Sequence, residues 1–299
     1  MLYATTTPAQ KRINLRGRLA SGDLLQLPGA FNPLSAKLIE RHRFDGVYIS
    51  GAVLSADLGL PDIGLTTLSE VAARTHQIAR ITELPALADA DTGFGEPINV
   101  ARAVQELEDS GLAALHIEDQ INPKRCGHLD GKQVVDDATA TRRIRAAVDA
   151  RRDPNLLIIA RTDIRAVDGL EATNERTKRL VDAGADAIFP EALASLKEFA
   201  AVRAATDVPI LANMTEFGKS DLFSTRQLRE VGVNLVIWPV SLLRMAMGAA
   251  ERALETLQTD GSLTSQLRQM QHRRDLYDLL DYEGYNKFDA SVFNFRVAD

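Results

Sequence analysis

Short apolar runs recur along the chain at 24–30 (LLQLPGA), 46–50 (GVYIS), 86–90 (ALADA) and 114–119 (ALHIED), then at 156–162 (LLIIART), 187–191 (AIFPE), 209–214 (PILANM) and 235–239 (LVIWP). Each reads as a strand. Between them lie amphipathic stretches. In 99–111, Val100, Val104 and Leu107 recur at helical spacing; 171–185 does the same and reaches a helix stop at Gly184. The phrases DSGLAALH and DAGADAIF repeat one grammar of helix end, glycine and buried strand. Eight strand–helix units without a fixed repeat length predict a closed parallel (β/α)8 TIM barrel. A doubly wound sheet is the alternative, but PGAFNP at 28–33 is not the glycine-rich phosphate turn expected after its first strand. Two helical segments beyond the last strand, about 240–259 and 262–281, exceed what one closing helix requires. They need a surface to pack on, and a neighbouring subunit is one option.

The chain has 299 residues, enough for one such barrel, which typically takes about 250. No linker or low-complexity stretch divides it, so residues 1–299 read as one domain with a helical extension. A net charge of −6 argues against nucleic acid as the main partner. The start of the chain lacks a signal-peptide core, no run reaches membrane-span length, and the single cysteine excludes an intrachain disulfide. A cytoplasmic protein is expected.

Chemistry enters at the ends of the strands. In a barrel of this kind the site is built at the C-terminal strand ends. Here those ends carry Ser50-Gly51, Asp89 and Asp91, Glu118-Asp119, Arg161 and Asp163, Glu191, Asn213 and Thr215. Any one of them alone reads as a cap or turn residue; so many around one mouth read as a site. In ADADTGFG (88–95), strand alternation predicts Asp89 and Asp91 on one face, where they repel unless a cation lies between them. Magnesium suits such a pair because it takes oxygen ligands and keeps waters. The competing reading is an Asp-Thr-Gly turn. Asp62 and Glu118 are candidates for holding metal-bound water. Arg161, Arg244 and Arg273 are candidate carboxylate clamps, although Arg273 also reads as part of a solvated helix face. The lone Cys126 sits in PKRCGHL (123–129), where Lys124, Arg125 and His128 favour its thiolate. A loop that long at a barrel mouth reads as a lid.

KRCGH, together with YISG, GLPD, ADADTGFG, HIEDQ, ARTD, FPE and NMTEFG, resembles the isocitrate lyase/phosphoenolpyruvate mutase superfamily over about residues 10–296. The resemblance implies a (β/α)8 barrel whose last helix is exchanged between subunits, in a homotetramer. It implies a Mg2+ site at Asp89 and Asp91, with Asp62 and Glu118 acting through water. It also implies Cys126 as proton donor, aided by Arg161 and Glu118. Substrate contacts would come from Ser50, Gly51, Ala52, Gly127, His128, Arg161, Glu191, Asn213, Thr215, Arg244 and Arg273. Ala52 departs from the glycine usual in the family.

The activity implied is retro-aldol cleavage of a small tricarboxylate, 2-methylisocitrate, to pyruvate and succinate, as in propionate catabolism through the methylcitrate cycle. Isocitrate and dialkylmalates are the alternatives, and a non-catalytic dicarboxylate-binding barrel is a more distant one. Phe189, Ile237 and Pro239 match positions that carry apolar groups in the methylisocitrate branch.

Overall fold

The computed structural model describes residues 3–125, 127 and 131–294. All eight expected strands form: β1 (Leu25–Pro28), β2 (Val47–Ile49), β3 (Ala86–Asp89), β4 (Ala114–Glu118), β5 (Leu157–Thr162), β6 (Ala187–Pro190), β7 (Leu211–Asn213) and β8 (Leu235–Trp238). They pair in parallel as two arcs, β2-β3-β4-β5-β6 and β1-β8-β7. Single parallel bridges close the seams, Gly29 to Tyr48 between β1 and β2 and Ile188 to Ile210 between β6 and β7. The barrel is thus complete, and its architecture is the one the sequence pattern predicts.

Helix α1 (Pro8–Ala20) precedes β1; α2 (Pro33–Arg41) follows it. The short α3 (Gly51–Asp57) and α4 (Leu68–Ala79) follow β2, and α5 (Pro97–Asp109), α6 (Asp137–Ala150) and α7 (Arg165–Asp182) follow β3, β4 and β5. Next come α8 (Leu196–Ala205), α9 (Thr225–Glu230) and α10 (Ser241–Asp260). Period-two alternation separates two cores. Leu25, Leu27, Leu87, Ile159, Phe189 and Ile237 pack inside the barrel, whereas Ala88, Leu115, Ile117 and Ile158 face the helices and meet Val100, Val104 and Leu107 of α5.

The apolar run pattern did not reveal α1, because its mean composition is polar. It closes the bottom of the barrel: Leu15 and Leu19 enter the interior cluster, and the buried Lys11 Nζ donates to the Ala79 carbonyl at 2.8 Å. Arg12 likewise donates through Nε to the Leu112 carbonyl at 2.8 Å. The chain before α1 is clamped by Glu83, whose carboxylate accepts the Thr5 and Thr6 amides at 2.8 Å each. Partial burial would raise the Glu83 pKa, but these bonds outweigh it and hold the group down to about 2, below its ordinary 4.5. The sign follows: stability from this clamp is present above pH 4.5 and is lost as pH falls toward 2. Thermal melts should therefore show wild type exceeding Glu83→Gln at neutral pH, with the gap shrinking on acidification through that window.

Beyond β8 the chain differs from the two expected segments. Helix α10 ends at Gly261 in the left-handed conformation, and a 3-10 turn (Thr264–Gln269), α11 (Arg273–Leu279) and α12 (Tyr282–Phe293) follow. The extended Met270 interrupts what periodicity alone reads as one helix. None of the described residues of α10, α11 or α12 is buried, although Met245, Leu254, Tyr282 and Phe288 are large and apolar. No helix among the described residues is long and apolar enough to cross a membrane.

Candidate active site

The polar strand ends converge at one mouth of the barrel. A cavity of about 220 Å³ is lined there by Ser50 and Ala52 after β2, Asp89 from β3, Arg161 from β5 and Glu191 after β6. Asn213, Thr215 and Arg244 line it from the β7–β8 side, and Asp62, Lys124 and Gly127 come from loops. Gly51 lies directly behind: a Cβ there would stand 2.9 Å from Asp89 Oδ2 and 3.3 Å from Asp91 Oδ1. Its lack of a side chain makes room for the paired acids.

Asp89 and Asp91 do meet, but not through strand alternation. β3 ends at Asp89, and Asp91 turns back with φ of 46°, its amide donating to Asp89 Oδ1 at 2.9 Å. The turn reading and the paired-acid reading are therefore both correct, since the turn makes the pair. Burial pushes Asp91 up to about 6, aided by the Asp89 charge and opposed by Lys124. For Asp89, burial works against ionisation, but neighbouring positive groups and the Asp91 amide win and hold it below the ordinary range. Glu118 is 1% exposed and raised well above its ordinary value by burial. Neither of its carboxylate oxygens has a hydrogen bond among the described residues.

Arg161 organises the neighbouring acids. Its Nε lies 2.9 Å from Asp163 Oδ2, 3.2 Å from Glu118 Oε2 and 3.9 Å from Glu191 Oε2. Asp163 in turn holds Lys132 Nζ at 2.9 Å, and Lys132 also donates to the Gly127 carbonyl. The glycine has no spare room: a Cβ at Gly127 would lie 2.5 Å from Arg161 Nη2 and 2.6 Å from Glu191 Cγ. Across the mouth, Asn213 Nδ2 donates to Glu191 Oε1 at 3.3 Å, and Arg244 Nη1 donates to Thr215 Oγ1 at 3.1 Å.

Of the expected residues, Arg273 is not brought to this mouth. It stands on α11, lining a separate exposed cleft with Tyr277 and Tyr282. Cys126 and His128 lie outside the described residues. Asp62 does not face an acid pair through open space; its Oδ1 is 2.5 Å from Lys124 Nζ. Among the described residues no three His, Cys, Asp or Glu side chains form a ready-made ligand set. Ile237 belongs to the barrel interior, whereas Phe189 and Pro239 line the cavity.

Sequence reasoning missed three participants. The sequence reads Lys124 as a basic neighbour that tunes the thiol and meets substrate carboxylates, and does not reveal its pairing with Asp62 and Asp91. Tyr48 lines the cavity, and its Oη is 2.7 Å from Nε2 of the fully buried His116. Burial lowers His116 to about 4, leaving it neutral, and raises Tyr48 well above its ordinary value, leaving it a donor. The signal was present: period two puts Tyr48 with Ser50, and His116 with Glu118, on the inward face. The same rule sends Asp119 the other way, where Arg176 Nη1 and Thr162 Oγ1 bind it at 2.9 and 2.6 Å.

A closed parallel barrel with acids, arginines and an amide gathered at its C-terminal mouth has the build of a barrel enzyme. The family model for phosphoenolpyruvate phosphomutase matches residues 15–258, so the chain belongs to the phosphoenolpyruvate mutase/isocitrate lyase family, and it is a lyase enzyme. It is 55% identical over 297 residues to probable 2-methylisocitrate lyase 2 of Corynebacterium glutamicum, covering 99% of this chain and 97% of that one. The solved structure of 2,3-dimethylmalate lyase matches with a TM-score of 0.88 and 34% identity, covering 99% of this chain and 100% of the other. Phosphonopyruvate hydrolase in complex with oxalate and Mg2+ matches with a TM-score of 0.84 and 28% identity, covering 95% of this chain and 99% of the other.

Proposed function

We propose that the protein cleaves 2-methylisocitrate to pyruvate and succinate in a Mg2+-dependent reaction. The observation that carries this reading is the juxtaposition, in one cavity, of Asp89, which is hydrogen-bonded to the buried Asp91 just behind it, with the carboxylate-binding groups Arg161, Asn213, Thr215 and Arg244. The relative named 2-methylisocitrate lyase in Corynebacterium glutamicum supports the choice of substrate. So do Phe189 and Pro239, which give the cavity an apolar wall for a methyl group.

The acids fit a hard cation. Glu118 is fully buried, and neither of its oxygens has a hydrogen bond among the described residues, although Arg161 Nε lies 3.2 Å from Oε2; Lys124 already supplies one positive charge at Asp91. Asp89 and Asp91 would hold the ion, with Asp62 and Glu118 meeting its waters, and few direct protein ligands is what magnesium tolerates. When bound, the ion supplies a Lewis acid for the 2-hydroxy acid of the substrate. Arg161, Asn213, Thr215 and Arg244 grip the substrate carboxylates, and Ser50 with the Gly51 and Ala52 amides positions the hydroxy-acid end. The hydroxyl passes its proton to a carboxylate of this acid cluster, its oxygen electrons form the pyruvate carbonyl as the C2–C3 bond breaks, and pyruvate leaves. The bond electrons remain on the carbon that becomes succinate, and the Cys126 thiol returns a proton there. Gly127, packed against Arg161 and Glu191, seats the loop so that water is excluded.

The uncovered apolar side chains of α10 and α12 support packing against other copies of the chain in a homotetramer with exchanged C-terminal helices. A dialkylmalate is the second reading, favoured by the likeness to 2,3-dimethylmalate lyase. A panel of 2-methylisocitrate, isocitrate and 2,3-dimethylmalate, with pyruvate, glyoxylate and propionate as readouts, decides between them. Pyruvate and succinate from the first substrate, at the highest kcat/KM, is the expected outcome; preference for dimethylmalate overturns it. One methyl is worth about 1–3 kcal/mol, so measurable isocitrate cleavage is expected beside the main activity. Gly127→Ala should crowd Arg161 and Glu191, costing about 1–3 kcal/mol of overpacking that lowers both the melting temperature and kcat/KM.

A further inference from the structure

Lys124 occupies an unusual position for a loop lysine. Its side chain is 4% exposed, and its Nζ lies 2.5 Å from Asp62 Oδ1 and 2.8 Å from Asp91 Oδ1. Asp89 adjoins Asp91, and Glu118, whose oxygens have no hydrogen bond among the described residues, adds a further buried acid. One ammonium is thus, among the described residues, the positive charge paired with Asp91, the carboxylate assigned above to the metal. A divalent ion and an ammonium cannot both stand within contact distance of one carboxylate oxygen without strong mutual repulsion in so dry a place.

We propose that Lys124 is the resident counter-ion of Asp91, that an incoming divalent cation takes Asp91 from it, and that the ammonium, kept by Asp62, then serves the substrate's carboxylate. This rests on the metal reading above. The geometry supports each part. Asp62 provides the shorter of the two pairs and so retains the lysine. Lys124 already lines the substrate cavity, so its freed donor needs no large movement to meet an anion. The consequence is an order of events in which the cation enters before the anionic substrate, because the lysine is engaged until the cation arrives. Asp62 then acts on the metal site through Lys124 in addition to any water it meets.

The test reads Mn2+ binding to the substrate-free protein by electron paramagnetic resonance. Lys124→Met should bind Mn2+ roughly tenfold tighter than wild type, equivalent to about 1.4 kcal/mol. Asp62→Asn should weaken binding while Lys124 is present and change it little in the Lys124→Met background. Equal or weaker binding by Lys124→Met overturns the exchange, as does an Asp62→Asn effect of the same size in both backgrounds. Failure of wild type and variant alike to bind Mn2+ overturns the metal reading itself and the exchange with it. Wild-type protein supplies a second readout that needs no variant. Acetic anhydride labelling of Lys124, followed by peptide mass spectrometry, should accelerate several-fold on adding Mg2+ relative to other lysines. An unchanged or slower rate overturns the proposal.

Discussion

Arg161→Met is expected to cost about 3–5 kcal/mol of folding stability, read from urea unfolding, and to abolish turnover. The guanidinium is 7% exposed and stands among Glu118, Asp163 and Glu191 on the inward faces and ends of three strands. Removing it leaves those acids buried without their shared cation. Part of the loss is relieved if Glu118, already raised by burial, takes up a proton. Arg161→Lys separates the two roles. It keeps the charge, so much of the stability should return, but a point charge cannot reproduce the fork that meets Asp163 through both Nε and Nη2. Its activity should stay low. A lysine variant with full activity would remove the need for bidentate geometry at this position.

Cys126→Ser is expected to lower kcat about 10²–10⁴-fold, the usual worth of a positioned proton donor, with little change in product binding or circular dichroism. A hydroxyl holds its proton far more tightly than a thiol, so it returns one to the carbanion slowly. Lys124 and Gly127, on either side of this cysteine, both line the substrate cavity. Pyruvate release in a single turnover should survive better than succinate formation, because carbon–carbon cleavage precedes proton return. Full activity in the serine variant would show that another group delivers the proton.

Much of this architecture was legible in the chain. Every expected strand contains an observed one, because strands covered on both faces stay apolar from end to end and announce themselves. The polar residue that breaks each run marks its functional end, which is how Asp89, Glu118, Arg161 and Glu191 were found together. What was hidden depends on contacts distant in sequence. Lys11 and Arg12 read as surface charges until α1 places them against carbonyls at the barrel floor. Lys124 reads as one of several basic loop residues until the fold brings Asp62 and Asp91 around it. Arg273 shows the opposite case. Helical periodicity places it on a helix but says nothing of where that helix lies, and α11 stands apart from the mouth.

The two single-bridge seams divide more than the hydrogen-bond ladder. Asp89, Glu118 and Arg161 all ride on the five-stranded arc, whereas Asn213 belongs to the three-stranded one, with Thr215 and Arg244 beyond its strand ends. On the reading proposed above, the metal-side acids and much of the grip on the substrate are therefore carried by separate hydrogen-bonded arcs. A substitution that reshapes the three-stranded arc reaches the acids across these seams, where the Asn213 Nδ2 bond to Glu191 Oε1 is one direct link. On that same reading, changes at Asn213, Thr215 or Arg244 are expected to alter substrate preference more than they alter the partnership of Asp89, Asp91 and Arg161, which kcat/KM ratios across the substrate panel would read.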